Sequence, residues 1–235
     1  MYTTKEALRP WFGHSDISRE AGFRTELRKF KSQLVESIRK YVDPQIPVYT
    51  LVHTEDLIHL HQEDLSGRVD AIPLDNVSVP SWAGTWHKQS FSKVLVPELA
   101  LQKKCSRVLF LDNDVEIRKD TTRLFNAEAP TMVIDNEGRT INSGIFLLDI
   151  NKTFVDSWKN FIKQKYSNRR HTLVKGLGFQ DGSDQECWGG DFGNQSIFQL
   201  PLNYNANIDR VRSETIGRDN ISIAHYYPSN TRWRW

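Results

Sequence analysis

The sequence predicts an α/β fold: a single domain built on a mostly parallel central sheet with helices on both faces. Three observations carry that expectation. Strand-like and helix-like stretches alternate along the chain, the order that builds parallel sheets through crossover helices. The run Arg107-Val-Leu-Phe-Leu111 is apolar almost throughout, as strands covered on both faces are. The 235 residues contain no internal repeat and no convincing linker, and that length is enough for one domain with a sizeable core.

Taken in order, residues 1–22 are irregular, with Pro10, Gly13 and Gly22 interrupting any period. Phe23, Leu27, Phe30, Leu34 and Ile38 then recur at spacings of three or four. That period predicts an amphipathic helix from Phe23 to Tyr41, ended by Pro44 and Pro47. The β-branched stretch Val48 to His53 predicts a strand, residues 55–64 a short helix, Val69 to Pro73 a short strand, and 75–87 a loop with Pro80 and Gly84. A second amphipathic helix is expected from Ser90 to Lys103, with Phe91, Val94, Leu95, Leu99 and Leu101 apolar. After strand 107–111 come strands at Val133-Ile134 and Ser143–Leu148, a helix over 153–166 and a Gly-rich loop over about 176–193. A helix at Asn194–Gln199, a strand-like 201–204 and a strand over 221–226 close the reading.

Composition narrows the function classes. With 31 basic and 29 acidic residues the formal net charge is +2, which leaves no electrostatic footprint for nucleic acid. Cys105 and Cys187 cannot build a disulfide framework, and no zinc-type cysteine spacing exists. No apolar run approaches the roughly 18–20 residues of a membrane span, and no signal peptide is visible. The chain as written therefore reads as cytoplasmic. A lost N-terminal anchor would place it at a membrane in the Golgi or ER lumen instead, so the compartment stays open.

The chemistry centres on Asp112 and Asp114. In extended backbone, side chains at i and i+2 point the same way. Two carboxylates thus project together from the end of strand 107–111, the edge where open α/β sheets bind ligands. They repel unless a cation sits between them, and hard divalent cations prefer oxygen ligands. Such an ion can hold a diphosphate and neutralise the charge that develops as it leaves. A solvated turn after a strand uses the same residues.

Several blocks in order extend this pair. They are Lys93-Val-Leu-Val-Pro-Glu-Leu99, Val108-Leu-Phe-Leu-Asp-Asn-Asp-Val115, Asn142-Ser-Gly-Ile-Phe-Leu147, Ser183-Asp-Gln-Glu186, Pro201-Leu-Asn-Tyr-Asn205 and Ile223-Ala-His225. Together they resemble glycosyltransferase family 8 and its relatives of GT-A type, over about residues 47–235. The resemblance implies a single GT-A domain, a Rossmann-like nucleotide-diphospho-sugar transferase fold. It implies a Mn2+ (or Mg2+) ion held by Asp112, Asp114 and His225, bridging the diphosphate of a UDP-sugar. It also implies donor contacts from Lys93, Asn113 and Asn142, and a reacting centre lined by Asp184 and Gln185. The activity implied is retaining transfer of a hexose or pentose to a hydroxyl of a glycan, glycoprotein or other acceptor. Read without the family, His225 is equally a buried structural histidine, Lys93 a solvated charge, and Asn142 part of a turn.

The chain departs from the family pattern in three places. The last block reads His225-Tyr-Tyr-Pro228-Ser-Asn-Thr231-Arg232-Trp233. Pro228 stands for a Gly and Thr231 for a phosphate-binding Lys, which leaves Arg232 as the replacement cation. Glu186 stands for the last Asp of the Asp-Gln-Asp block. The family's opening strand is represented by no more than Met1–Thr4, so Thr3 and Thr4 are the candidates for nucleotide contacts; either the chain is N-terminally truncated or residues 1–22 substitute for that strand. These departures keep a second reading open: a catalytically inactive glycosyltransferase-like protein that binds sugar or a partner. A metal-dependent hydrolase using the same carboxylates is a third.

Overall fold

The structure is a computed structural model that describes residues 33–52, 69–73, 91–112, 114–134, 141–167, 198–199, 201–204, 206–207 and 217–226. Residues 23–32 of the helix expected over 23–41, the expected helix at 55–64 and the Gly-rich loop at about 176–193 lie outside the described residues. So does the loop at 75–87.

The described helices follow the apolar period. Helix α1 (residues 33–41) buries Leu34, Ser37 and Ile38, spaced three and four apart on one face. The expected helix over Ser90–Lys103 is split: a 3-10 turn at Phe91–Leu95 leads into α2, Val96–Gln102. Pro97 lies in the first turn of α2, where its missing N–H sacrifices no helical bond. Beyond Lys103 the chain leaves the helix through Lys104 at φ 59°. The amide of Lys104 donates to Leu101 O at 3.0 Å and that of Cys105 to Ala100 O at 2.9 Å, closing the last turn as a left-handed cap does. Helix α3 spans Lys152–Ser167 and buries Val155 and Trp158, against an expected 153–166.

Nine strands are described. They are β1 (Val48–Val52), β2 (Val69–Pro73), β3 (Arg107–Leu111), β4 (Val115–Ile117), β5 (Thr131–Ile134), β6 (Ile141–Asp149), β7 (Phe198–Gln199), β8 (Ala206–Asn207) and β9 (Ile223–His225). They form a pair β1-β2, a sheet β3-β6-β5-β7 and a sheet β4-β9-β8. Pairs β1–β2, β5–β7 and β8–β9 are parallel, whereas β3–β6, β5–β6 and β4–β9 are antiparallel. The described pairing is therefore mixed rather than mostly parallel. Strand β3 is the clearest correction, because its described partner β6 runs antiparallel to it. An apolar run reports that a strand is covered, not the direction of its neighbour. Two shorter expectations also change. Phe198–Gln199, the end of the expected helix at 194–199, is strand β7, and Leu202–Tyr204 is a 3-10 turn rather than a strand.

Strand β6 lies between two cores. Phe146 and Leu148 pack with Val94, Val96, Ala100, Ile150, Val155 and Trp158. Ile145 faces the other way, toward Leu34, Ile38, Val115, Ile117, Leu124 and Ile223. That is the period-2 alternation of a strand buried on both sides. Trp158, within the first core, donates from Nε1 to Val94 O at 2.6 Å. This bond ties α3 to the 3-10 turn that carries Lys93. Ser37 ties the second core together, donating to Leu34 O at 2.8 Å and accepting from the Ile117 amide at 3.0 Å. Among the described residues no helix is long and apolar enough to cross a membrane.

Candidate metal centre

The two cores set three strand ends beside one another. Strand β3 pairs with β6 as far as Leu111↔Ile145. The Asp112 amide then continues that ladder by donating to Gly144 O at 2.8 Å. Strand β4 pairs with β9 through Val115↔His225, and the Tyr226 amide donates to Asp114 O at 2.7 Å. Asp112 thus leaves one strand, Asp114 enters the next, and His225 ends the strand paired with it. Their donor atoms all lie within 4.8 Å of one another.

A bulge opens beside this point. The β5–β6 register runs Met132↔Phe146 and then Val133↔Asn142, so Ser143, Gly144 and Ile145 have no β5 partner. Bulges re-aim backbone next to sites. Here the freed backbone is the stretch that binds the Asp112 amide and meets His225. The Asn142 Oδ1 accepts from the Gly144 amide at 2.8 Å, which fixes the start of the bulge.

The charges are nearly enclosed but not sealed. Side-chain exposures are 4% for His225, 14% for Asp114, 13% for Lys93 and 20% for Asp112, so a ligand can approach from the carboxylate side. Lys93 Nζ lies 2.7 Å from Asp112 Oδ2, and His225 Nε2 lies 3.2 Å from Asp114 Oδ1. Lys93 Nζ also stands 5.7 Å from the Phe110 ring centroid, and that ring stacks on Phe146 with centroids 4.6 Å apart.

The electrostatics favour protons over bare charges. Burial pushes the Asp112 carboxyl up, and neighbouring Asp114 adds to that, while Lys93 and His225 pull it down; the balance is upward. Burial works against the His225 imidazolium. The Asp114 carboxylate, by its charge and its hydrogen bond, and then Asp112 outweigh that cost, so the His225 pKa is raised from the ordinary 6.5. The folded protein therefore holds both protons more tightly than the unfolded chain. Stability from the His225 proton is fully present below 6.5 and is lost as pH rises through the raised value. Ionised Asp112 likewise costs stability above its raised pKa.

Two carboxylates and an imidazole suit a divalent ion such as Mn2+ or Mg2+. Asp112, Asp114 and His225 would each offer one donor atom to it, and these atoms already lie within 4.8 Å of one another. The donor set fits the group. A cation has to displace the His225 proton, so apparent Mn2+ affinity rises with pH by up to about tenfold per unit until the raised imidazole pKa is passed. Mn2+ titrations between about pH 5.5 and 8 check this, and a flat profile contradicts it.

Of the residues singled out in the sequence, Lys93, Asp112, Asp114, Asn142 and His225 come together here. Asn113, Thr3, Thr4, Asp184, Gln185 and Arg232 lie outside the described residues. Gly144 is the position beside the group that sequence reasoning misses, because nothing in its block marks the glycine. A Cβ there would stand 2.3 Å from His225 Cε1 and 2.9 Å from Nδ1.

No protein-family model matches the chain, and no curated protein matches it in sequence. Solved structures do match it. The glycosyltransferase GlyE of Streptococcus pneumoniae TIGR4 matches over 89% of this chain at 18% identity and a TM-score of 0.58. The bifunctional glycosyltransferase WbbM matches over 89% at 12% identity and a TM-score of 0.63. Mouse xyloside xylosyltransferase 1 matches over 88% at 14% identity and a TM-score of 0.53. The chain spans 54% of the GlyE structure, 45% of WbbM and 94% of the mouse enzyme. At these identities the likeness concerns the fold, which is the GT-A-like fold of these glycosyltransferases.

Proposed function

We propose that this protein is a metal-dependent glycosyltransferase that moves a sugar from a nucleoside diphosphate sugar onto an acceptor hydroxyl. The observation that carries the reading is the Asp112–Asp114–His225 group beside Lys93, in a chain with a glycosyltransferase fold. A transferase of this kind has to bind an anionic diphosphate and stabilise it as it leaves. The side-chain group is suited to that. Once the His225 proton is displaced, two carboxylates and an imidazole offer three donors, and Lys93 adds a positive charge 2.7 Å from Asp112. A divalent ion, when bound, would neutralise charge growing on the departing diphosphate. Asp112 and Asp114 would orient the donor through that ion, His225 would complete the ligand set, and Lys93 would meet phosphate or sugar oxygens. Asn142, its Oδ1 engaged by the Gly144 amide, would by the family resemblance contact the donor.

The finer reading rests on the family 8 resemblance. UDP is the nucleotide, Mn2+ or Mg2+ the ion, and the anomeric configuration is retained. Thr3, Thr4 and Asn113 contact the nucleotide, and Arg232 takes the place of the missing phosphate-binding lysine. Asp184 and Gln185 line the reacting centre, with Gln185 supporting charge near the anomeric carbon. Orientation and electrostatics account for most of the barrier reduction.

Release of UDP from a panel of UDP-sugars, with and without Mn2+, tests the activity. Metal-dependent release with transfer to an acceptor is expected, and NMR of the product anomeric centre then reads retention. Metal-dependent UDP binding without turnover leaves a binding protein. Water consumption with no transfer to any acceptor points to a hydrolase.

A further inference from the structure

We infer that Tyr226, Glu116 and Arg118 form a latch that positions His225 for the cation, with Tyr226 as its central positioning residue; this rests on the metal centre proposed above. The need for a latch comes from how little backbone holds His225. Strand β9 has three residues, paired with three of β4 and two of β8. Ladders this short supply few bonds, and the end of a strand is where pairing frays first. His225 occupies the last rung, opposite Val115. Burial and the Asp114 contact hold the imidazole itself, and the contacts just beyond the strand hold the backbone that carries it.

Those contacts are made by Tyr226. Its amide bonds Asp114 O at 2.7 Å, so one bond joins the backbones of a metal ligand and the neighbour of another. Side chains alternate along extended backbone, and Tyr226 turns its ring away from the His225 side. Its hydroxyl donates to Glu116 Oε2 and accepts from Arg118 Nη2 at 2.7 Å. Arg118 Nε donates to the same Glu116 oxygen at 3.1 Å. Each of the three side chains therefore contacts the other two. The Arg118 amide adds a bond to Ser222 O at 2.8 Å, fixing the other end of β9 to β4.

A partly exposed Arg–Glu pair contributes little on its own. A tyrosine hydroxyl shared between the two ions defines a geometry instead, because hydrogen bonds to charged groups are short and directional. The ring closes β4 against β9 one residue after His225 and two residues after Asp114. None of its three side chains belongs to the ligand set, so its action passes through His225.

The test is Mn2+ titration followed by electron paramagnetic resonance, with the 14N spin-echo modulation of a coordinated imidazole as the signature. Wild type is expected to show the 14N coupling. Tyr226→Phe keeps the ring and removes the hydroxyl. It is expected to weaken Mn2+ binding about tenfold, the lower end of what supporting contacts to metal ligands are worth, and to diminish the 14N coupling. In a His225→Ala background the same substitution should change Mn2+ affinity less than twofold, since the residue through which it acts is gone. Unchanged affinity in Tyr226→Phe, or an equal loss with and without His225, overturns the latch while leaving the metal centre standing. Wild-type protein that takes up no Mn2+ overturns the metal centre and, with it, this inference.

Discussion

In saturating Mn2+ the wild-type protein unfolds at higher temperature than in EDTA, and the Asp114→Asn variant does not. A cation that binds the folded state alone stabilises it by mass action, by about 2.7 kcal/mol at one hundred times its dissociation constant. Asp114→Asn keeps the size and a carbonyl acceptor for His225 but removes the charge. It removes one anionic ligand outright; the His225 proton, held in part by the Asp114 carboxylate 3.2 Å from Nε2, is then held less tightly, and that easier deprotonation offsets a small part of the loss. On the function proposed above, sugar transfer should fall about 1,000-fold, the equivalent of the several kcal/mol that a catalytic metal supplies to a charged transition state. Stability in EDTA should change little. Asp114 is among the groups pushing the Asp112 carboxyl up, so its neutralisation relieves a repulsion while it loses an ion pair. A variant damaged in turnover but not in metal-free stability marks a site whose charges serve binding rather than folding. Calorimetric scans of both proteins in Mn2+ and EDTA read the difference, and equal shifts would remove Asp114 from the ligand set.

What the sequence disclosed depended on whether the signal was local. Strand β6 was legible because Ile145, Phe146, Leu147 and Leu148 are all buried, and a strand covered on both faces writes itself as a continuous apolar run. Helix α3 was legible from its period. Strand β4 was not. Its alternation, buried Val115 and Ile117 around Glu116, lasts three residues and sits beside the acidic pair that drew the functional reading. The orientation of β3 relative to β6 was hidden for a different reason: apolarity records coverage, whereas direction depends on the path of the intervening chain. At the site, Asp112 and Asp114 announced themselves by their i, i+2 spacing. His225 entered through the family resemblance alone. The Tyr226 contacts with Glu116 and Arg118 join residues more than one hundred positions apart, and no local pattern encodes them. Ser37, bridging α1 to the Ile117 amide across 80 positions, was unreadable for the same reason.

Gly144→Ala is expected to lose Mn2+ binding by at least about 100-fold, the cost of one ligand's worth of support and more, although the substitution adds one methyl group to a residue that binds no metal. The added Cβ would lie 2.3 Å from His225 Cε1, 2.9 Å from Nδ1 and 3.0 Å from Asn142 Oδ1. The first of these is far inside contact distance, so something has to move. The ring cannot retreat easily, since His225 is buried on a strand whose register is set by Val115. Gly144 cannot retreat either, because its carbonyl accepts from the Asp112 amide and its amide donates to Asn142. Relief must come from rotating the imidazole out of the ligand group or from parting β6 from β9, and each disperses the donors. Overpacking of this kind also costs about 1–3 kcal/mol of stability. A double-mutant cycle separates this cause from general damage. In a His225→Ala background the two imidazole contacts are gone and the 3.0 Å approach to Asn142 Oδ1 remains, so Gly144→Ala should cost well under half of what it costs in wild type, measured by urea unfolding in EDTA. Full destabilisation in both backgrounds would mean that the methyl group strains the bulge itself. The glycine would then serve the backbone of β6 rather than the imidazole. The cycle thus decides whether this glycine is there to let an aromatic ring stand edge-on against a strand, which is how a histidine 81 positions downstream reaches the carboxylates at the end of β3.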